Sequence, residues 1–281
     1  MPGFATYDDI INSLSALGRG QILKWCKLSM TAEAAGVPNL MWRGLPGLIA
    51  AGAVPDTGVG TIPTSSTAGA IPFTNAAGGR TMHALWVAAG GVTASGFILT
   101  DILWFGSGLS GTVTTEQVIN STALTRNTGG IGNQIALICW TATGTTAVNV
   151  TVNYTNSAGV AARTTVSVAL WTGGFGGGTL APTANQMQIV PLQAGDLGVR
   201  SIEGLTLSAS TLTAGDFGVC IFKPVVNTML NYPANTSIVK DLVLQTPSLE
   251  QVNDNACLVP IWIPSGTTTG LAWMFLGISE N

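Results

Sequence analysis

Alternation of apolar and polar residues dominates the chain from about residue 57 onward. In VNVTVNY, the apolar Val148, Val150, Val152 and Tyr154 alternate with Asn and Thr residues. A period of two is typical of a β-strand that buries one face. The next residues, TNSAG, predict a turn, and RTTVSVAL predicts the partner strand of a hairpin.

Short apolar runs of the same kind recur to the end of the chain, separated by turn residues. We expect each run to form a strand, because none of them shows a helical period. Between the runs, SIVKDLVLQ is the stretch whose apolar positions fit a helix. The runs are HALWVAA, FILTDILWF, QIALICWTA, QIVPL, VRSIEGLTLSAS, GVCIFKPV, VPIWIP and GLAWMFLGIS. This pattern predicts a mainly β protein, an antiparallel β-sandwich or jelly-roll.

The N-terminal part follows a different pattern. TYDDIINSLSALG predicts a helix, because Thr6 and Asp9 have the spacing of a capping box and Ile10, Leu14 and Leu17 form one apolar stripe. GQILKWCKLS predicts a weaker second helix. GVPNLMWRGLPGLIAAGAVP is interrupted by Pro and Gly, which favours an extended, partly apolar arm.

The change of pattern predicts two parts. We expect a helical and extended N-terminal arm over residues 1–56 and a β-sandwich body over residues 57–281. A body made of two sub-sheets or subdomains that divide near residues 170–185 is an alternative. The arm is too short for an independent core, so deletion of residues 1–43 is expected to leave a folded β body.

Charge is scarce. Only 23 of the 281 residues are charged, 8%, against roughly 25% in an average globular domain. Between Asn127 and Gly195, Arg163 is the one charged residue. Uncharged edge strands pair with other strands unless they are covered, and permanent interfaces tolerate neutral residues because little charge is desolvated there. The composition therefore indicates a building block whose surfaces are covered by copies or by partner subunits.

The charge distribution also excludes some partners. The net charge is −3 and the ten basic residues are scattered, whereas phosphate binding requires clustered Lys and Arg. The start, MPGFATYDDIINSL, has acidic residues where a secretory signal is positive. The apolar residues between His83 and Asp101 are interrupted by Gly, Thr and Ser, so two buried strands explain them better than a membrane helix. We expect neither nucleic acid nor a membrane as partner.

Candidate chemistry is sparse. His83 is the single histidine, which excludes a His-rich zinc site, and we interpret it as a satisfied structural histidine. Apart from Asp8 and Asp9 in the first helix, the acids are dispersed. GGFGGG lacks the strand and helix that flank a phosphate-binding loop. The two similar stretches AGDLGV and AGDFGV each contain one aspartate, which provides too few oxygen ligands for calcium. We expect no enzyme activity, no catalytic residue, no cofactor and no metal.

The cysteines and tryptophans lie mostly in apolar runs. We expect buried free thiols rather than disulfides, because nothing indicates an oxidising compartment. Eight tryptophans suggest a sugar-binding hypothesis, but Trp86, Trp104, Trp140, Trp262 and Trp273 lie inside strand runs and are expected in the core. The residues expected to dock on a neighbouring chain lie in the arm or in a loop: Phe4, Ile10, Leu14, Trp25, Trp42 and Trp171.

Several stretches resemble a family of tailed-bacteriophage virion proteins that accompany head genes. They are FATYDDIINSLSALGRGQ, KLSMTAEAAG, LWVAAGG, SGLSGTVTT, TATGTTAVNVTVNYTNSAGVAARTT, PLQAGDLGVRSIEGLTLSAST and DNACLVP. The resemblance implies a virion component that is assembled in the bacterial cytoplasm without a cofactor. It transfers no site residues, because these motifs carry no catalytic chemistry.

Together these observations predict a structural function. We expect a capsid decoration or cement protein that binds its own copies and other virion proteins, in particular the major capsid protein, on the head lattice. One alternative is a tail or baseplate structural protein. Another is a receptor-binding or glycan-binding module that uses Trp171 and nearby loops.

Overall fold

In the part of the chain that the structure describes, the protein is mainly β, with antiparallel sheets and one short helix near the N-terminus. The computed structural model describes residues 4–29, 32–45, 47–57, 59–172, 182–231, 234–244, 249–267 and 270–281. The elements in chain order are α1 (Tyr7–Ser15), β1 (Gly20–Leu28), β2 (Asn39–Leu40), β3 (Met82–Gly91), β4 (Ser95–Leu109), β5 (Gln117–Val118), β6 (Gln134–Thr141), β7 (Asn149–Asn156), β8 (Arg163–Thr164), β9 (Val168–Ala169), β10 (Met187–Val190), β11 (Val199–Leu207), β12 (Asp216–Asn231), β13 (Ser237–Asp241), β14 (Gln251–Val252), β15 (Leu258–Pro264) and β16 (Leu271–Glu280).

These strands form three antiparallel sheets. The first sheet has the order β1-β16-β3-β13, with β14 also paired to β3. The second has the order β10-β6-β12-β4-β15-β2, and the third has the order β5-β11-β7-β8, with β9 also paired to β7. Every run predicted to be a strand corresponds to one of these elements, so the expectation of a mainly β body is confirmed.

The second sheet is the centre of the packing. One of its faces shares a core with the first sheet, in which Phe97 and Trp262 pack with Trp25 and Met274. Further along, the second sheet shares another core with the third sheet. A third cluster covers its opposite face, where Trp42 lies 4.9 Å from Phe105, measured between ring centroids. The chain is therefore a sandwich in which two smaller sheets pack on a longer one.

The predicted hairpin is confirmed. In β7 the alternation of the sequence is matched by burial, since Val150, Val152 and Tyr154 are fully buried while the residues between them are not. β8 and β9 return along β7 in antiparallel register. The two strands predicted between His83 and Asp101 are also present, as β3 and the start of β4.

Two predicted helices are wrong. GQILKWCKLS forms β1, which pairs with β16 from Gly20↔Ser279 to Leu28↔Leu271. SIVKDLVLQ begins with β13 instead of a helix. In β1 the buried positions are Leu23, Trp25 and Lys27, so one charged residue in the apolar set concealed the period of two.

The predicted arm is built into the sheets along part of its length. Besides β1 in the first sheet, β2 pairs with β15 in the second. The expectation that residues 1–43 can be deleted without loss of the body is therefore corrected. Their removal would take away β1 and β2, together with Trp25, which is fully buried in the core.

Candidate interaction surface

The outer face of the first sheet is a regular surface of aromatic and small side chains that the strand register creates. Side chains alternate across a strand, so residues at every second position point away from the core. The register places them in three rows that cross β1, β16, β3 and β13. The rows, which we call the outer face, are Cys26–Trp273–Gly90–Ser237, Lys24–Phe275–Ala88–Val239 and Ile22–Gly277–Trp86–Asp241.

Glycines fix how the two tryptophans lie on this face. Trp273 pairs with Gly90 and Trp86 pairs with Gly277. A Cβ atom at either glycine would overlap the ring of its tryptophan, so each indole lies across the backbone of the neighbouring strand. Trp273 also donates a hydrogen bond from Nε1 to Ser237 Oγ at 3.3 Å. Both rings are half-buried, with the backbone beneath them.

The outer face carries little charge. Among its described residues the charged groups are Lys24, on the edge strand β1, and Asp241, on the opposite edge strand β13. Asp241 Oδ1 accepts hydrogen bonds from the backbone N–H groups of Val243 and Leu244 at 2.8 and 3.1 Å, so this carboxylate also holds the turn after β13. The middle of the face is therefore aromatic and neutral.

Helix α1 stands on the same side of the first sheet, at the end of the outer face. The predicted capping box is confirmed: Thr6 Oγ1 accepts from Asp9 N at 3.2 Å, and Asp9 Oδ2 accepts from Thr6 N at 2.8 Å. Ser13 Oγ is 2.8 Å from Ser279 Oγ and donates to the Glu280 carbonyl at 2.6 Å. These bonds hold α1 on β16.

One side of α1 and the turn after it expose apolar side chains, while Asp8, Asn12 and Ser15 are exposed elsewhere on the helix. Ile10 is 7% exposed and faces the sheet, together with Ser13. Four large side chains remain open to solvent, and we call them the helix surface: Tyr7 (53% exposed), Ile11 (50%), Leu14 (45%) and Leu17 (47%). Such a patch on so short a helix is typical of an interaction site rather than of a free surface.

Phe4 and His83 form a small contact beneath α1. Their ring centroids are 5.5 Å apart. His83 is buried and packs against Phe4, as a structural histidine does. Neither ring nitrogen makes a hydrogen bond of normal geometry within the described residues, but the backbone of Leu249 lies beside the ring as a hydrogen-bonding neighbour. Burial lowers the pKa of His83, and the nearby backbone of Leu249 offsets this only in part. The imidazole is a neutral packing group.

Three of the predicted interface residues belong to the core, and a fourth, Ile10, is buried between α1 and the first sheet, so its docking role is corrected as well. Trp25, Trp42 and Trp171 are 0%, 2% and 1% exposed, so the expectation that they are available to a neighbour is corrected. Trp42 Nε1 donates to the Ala53 carbonyl at 2.6 Å, and Trp171 Nε1 donates to Thr143 Oγ1 at 3.0 Å. Trp25 is buried because β1 is a strand of the first sheet, Trp42 because Gly52 and Gly69 pack against its ring, and Trp171 because it packs against Phe217.

The sequence also misplaced two tryptophans in the other direction. Trp86 and Trp273 were expected in the core and instead lie half-buried on the outer face. Trp104, Trp140 and Trp262 are buried as expected. Trp86 and Trp273 each lie opposite a glycine of the paired strand, and this arrangement is readable only once the register is known.

The aspartates of the two similar stretches AGDLGV and AGDFGV, Asp196 and Asp216, accept hydrogen bonds from other parts of the protein. Asp196 accepts hydrogen bonds from Tyr154, Asn156 and Arg163. These donors, Arg163 first, lower the pKa of Asp196 to about 2, while burial is the main cause that raises the pKa of Tyr154 to about 12. Asp216 Oδ1 accepts from Gly108 N at 2.9 Å. Both carboxylates therefore fasten turns to neighbouring strands.

A buried ion pair ties the centre of the second sheet to two loops. Arg126 donates to both carboxylate oxygens of Asp101, at 3.2 and 3.0 Å, and to the carbonyls of Pro63 and Ile102. Both side chains are almost fully buried. Cys257 N also donates to Asp101 Oδ1 at 2.8 Å. Because both carboxylate oxygens of Asp101 and two nitrogens of the Arg126 guanidinium bond within the protein, this pair is a structural clamp.

The remaining predictions on chemistry concern loops, thiols and metals. All four cysteines are free, and Cys139, Cys220 and Cys257 are buried, as expected. GGFGGG lies outside the described residues. Within the described residues, no three His, Cys, Asp or Glu side chains gather as a metal site. In the same part of the chain, no helix has the length and apolar character that a membrane span requires.

Comparison with known proteins gives little that can be transferred. The chain matches no protein-family model and no curated protein. Similar solved structures include that of infectious bursal disease virus Gt strain, with 7% identity over 96% of this chain and 86% of the other. The VP2 subviral particle of the same virus gives 9% identity over 96% and 85%. Both have a TM-score of 0.19, which does not establish a shared fold.

Proposed function

We propose that the protein is a structural subunit of a virus particle, a capsid decoration or cement protein that binds neighbouring subunits through the helix surface. The observation that carries this proposal is the helix surface itself. Tyr7, Ile11, Leu14 and Leu17 are each about half exposed in a chain that has only 23 charged residues. No catalytic activity is part of the proposal.

The position of α1 suits a docking element. It is fixed to the first sheet by the bonds of Ser13 and by the burial of Ile10, so little conformational entropy is lost when a partner covers it. Leu14 also packs against Gly20 of β1, where a Cβ atom would overlap the leucine side chain. The apolar patch is therefore rigid before it meets a neighbour.

The energy available is sufficient for a lattice contact. Complete burial of one large apolar side chain contributes roughly 1.5–3 kcal/mol. The four side chains of the helix surface are already half-buried, so each adds about half of that amount. Such a contact is weak for a single pair of molecules, but a lattice repeats it at many sites and the repetition raises the overall affinity.

The scarcity of charge supports the same function. Charge on both edges and faces is a common means of keeping sheet proteins apart. Here β7, β8 and β9 carry Arg163 as their one charged side chain, and Asp196 holds it in a hydrogen-bonded pair. Neighbouring subunits that cover such surfaces would desolvate almost no charge.

The experiment compares particle incorporation of the wild-type chain with that of Ile11→Ser combined with Leu14→Ser. Leu197→Ser is the matched control, because Leu197 is 71% exposed and lies in a turn next to the third sheet. We expect normal incorporation of the control and at least tenfold less of the double variant. The readout is the band intensity of the protein in gradient-purified particles, with immunogold labelling to locate it.

The same measurement separates the head from the tail. A decoration protein is expected in hundreds of copies distributed over the head. A few copies at one vertex or along the tail would assign the chain to the tail or baseplate instead. Absence of the wild-type chain from purified particles would contradict the proposed function.

A further inference from the structure

The outer face of the first sheet points to a second role, and we propose that it binds a neutral polysaccharide whose sugar rings stack on Trp273, Phe275 and Trp86. This proposal does not depend on the helix surface or on assembly into a particle. It replaces the loop around Trp171 as a candidate glycan site, because Trp171 is 1% exposed.

The three aromatic residues lie in consecutive rows. Trp273 and Phe275 are two residues apart on β16, and Trp86 pairs with Gly277, which is two residues further along that strand. A strand rises about 3.4 Å per residue, so the rows are roughly 7 Å apart and the aromatic strip is about 14 Å long. That length spans several residues of a linear sugar chain.

The orientation of the rings is what favours a sugar. Each indole lies across a glycine of the paired strand, so one ring face covers the backbone and the other faces outward. An aromatic hot spot in a protein interface usually inserts into a pocket, whereas a ring held flat offers its π-face to a planar partner. The C–H groups on one side of a pyranose ring match such a face.

The polar groups at the margins suit hydroxyl groups. Ser237 Oγ lies next to Trp273 and accepts its Nε1–H at 3.3 Å. Lys24 and Asp241 are at opposite edges of the same face, one providing donors and the other acceptors. Aromatic stacking positions with donors and acceptors beside them can satisfy both sides of a sugar, the apolar ring face and the hydroxyls.

The charge of the face argues against stacked nucleic-acid bases. Single-stranded nucleic acid also stacks on aromatic rings, but it needs a positively charged groove that follows its backbone. The described outer face offers Lys24, which is balanced by Asp241. A neutral ligand fits this balance, and a polyanion does not.

The position of α1 argues against a second copy of the chain as the occupant. The helix stands on the outer side of the first sheet, beside Ser279. A helix is about 10 Å in diameter, and stacked sheets lie about 10 Å apart. A second sheet that covered the whole outer face would therefore meet α1 at its end, whereas a single polysaccharide strand is thin enough to lie beside the helix.

The test is native affinity electrophoresis of the full chain in gels that contain hydroxyethylcellulose, laminarin or galactomannan, with poly(U) as a separate arm. We expect retardation of the wild type by at least one of the three neutral polysaccharides. Trp86→Ala and Trp273→Ala are each expected to raise the apparent dissociation constant at least tenfold. Tyr7→Ala, an exposed aromatic residue on α1, is the control and is expected to bind as the wild type does.

A conservative variant distinguishes stacking from support of the fold. Trp273→Leu keeps an apolar cover over Gly90 and removes the π-face, so its circular dichroism is expected to match the wild type while polysaccharide binding is lost. Trp273→Phe is expected to keep most of the binding. No retardation by any of the three polysaccharides, or undiminished retardation of Trp273→Leu, would overturn the proposal.

Two further outcomes assign the face to another partner and also overturn it. Retardation by poly(U) that is lost in Trp86→Ala would identify nucleic acid. Concentration-dependent dimers that Trp273→Ala abolishes would identify a second copy. None of these outcomes changes the incorporation of the Ile11 and Leu14 variant, so failure here is separable from failure of the proposed particle role.

Discussion

The two faces of the first sheet use the same residue types for different purposes. On the inner face, Trp25 is fully buried against Met274 and the second sheet. On the outer face, Trp273 lies half-buried over Gly90. Both residues sit in apolar strand runs. Which face of the sheet a tryptophan occupies therefore depends on the strand register and on whether a second sheet covers that face, and the apolar character of its sequence neighbours does not reveal it.

The largest expected effect separates the two faces directly. Trp25→Ala should lower the free energy of unfolding by about 3–5 kcal/mol, because it leaves a cavity in the core. Trp273→Ala removes a ring that is already partly solvated, so the loss should be about 1 kcal/mol. Urea denaturation followed by circular dichroism measures both. Similar losses for the two variants would abolish the distinction between the faces.

The contrast between a buried and a partly exposed position also applies to two ion pairs. Arg126–Asp101 is buried, whereas Arg80–Glu280 has an arginine that is 35% exposed at its side chain. Asp101→Asn leaves Arg126 buried without a full countercharge and should cost about 3–5 kcal/mol. Arg80→Ala should cost about 1 kcal/mol or less. Urea midpoints provide the comparison, and an Arg80→Ala loss as large as that of Asp101→Asn would weaken it.

Two carboxylates should respond to pH in opposite directions. Burial raises the pKa of Glu33 to about 7 from 4.5, so its contribution is fully present below pH 4.5 and is lost as pH rises through 7, an effect of about 1–3 kcal/mol. Hydrogen bonds, Arg163 first, lower the pKa of Asp196 to about 2. Its contribution is present above about pH 4 and is lost as pH falls towards 2.

Unfolding free energies measured across this pH range test both assignments. Glu33→Gln should reduce the fall in unfolding free energy between pH 4.5 and 7 and leave the fall between pH 4 and 2 unchanged. Asp196→Asn should do the reverse. If Glu33→Gln instead altered the stability at acid pH, or Asp196→Asn altered it between pH 4.5 and 7, the two pKa assignments would be wrong.

The smallest effect concerns thiols and changes no stability. Cys26 is on the outer face and half-buried, whereas Cys220 is fully buried, and burial raises the pKa of both thiols. Maleimide should therefore label Cys26 well before Cys139, Cys220 or Cys257. Mass spectrometry of the labelled chain identifies the site, and Cys26→Ser is the control. Early labelling of Cys220 would place it at a surface.

Much of the fold follows from the sequence, because most strands show alternation or a compact apolar run. The exceptions have physical causes. β1 places Lys27 inside, where its ammonium donates to the carbonyls of Met41 and Trp42 at 3.2 and 2.7 Å and burial lowers its pKa to about 8. A charge at a buried position disrupts the pattern that identifies a strand.

The candidate surfaces were only partly predictable. The capping box and stripe of α1 predicted a helix, and Leu14 is exposed on it as a docking residue should be. The stripe did not show that Tyr7 and Ile11 form the remaining surface. The outer face was missed because it depends on pairing between strands separated by about 190 residues in sequence, such as Trp86 with Gly277.

The most direct test of the central claim is sedimentation equilibrium of the full-length chain over a wide range of concentrations. The claim is that this sparsely charged surface is covered by neighbouring subunits, with the helix surface as a contact. We predict that the average mass rises above that of the monomer with concentration, and that Ile11→Ser with Leu14→Ser reduces the rise. A chain that stays monomeric at every concentration, and binds no particle component, would contradict the claim.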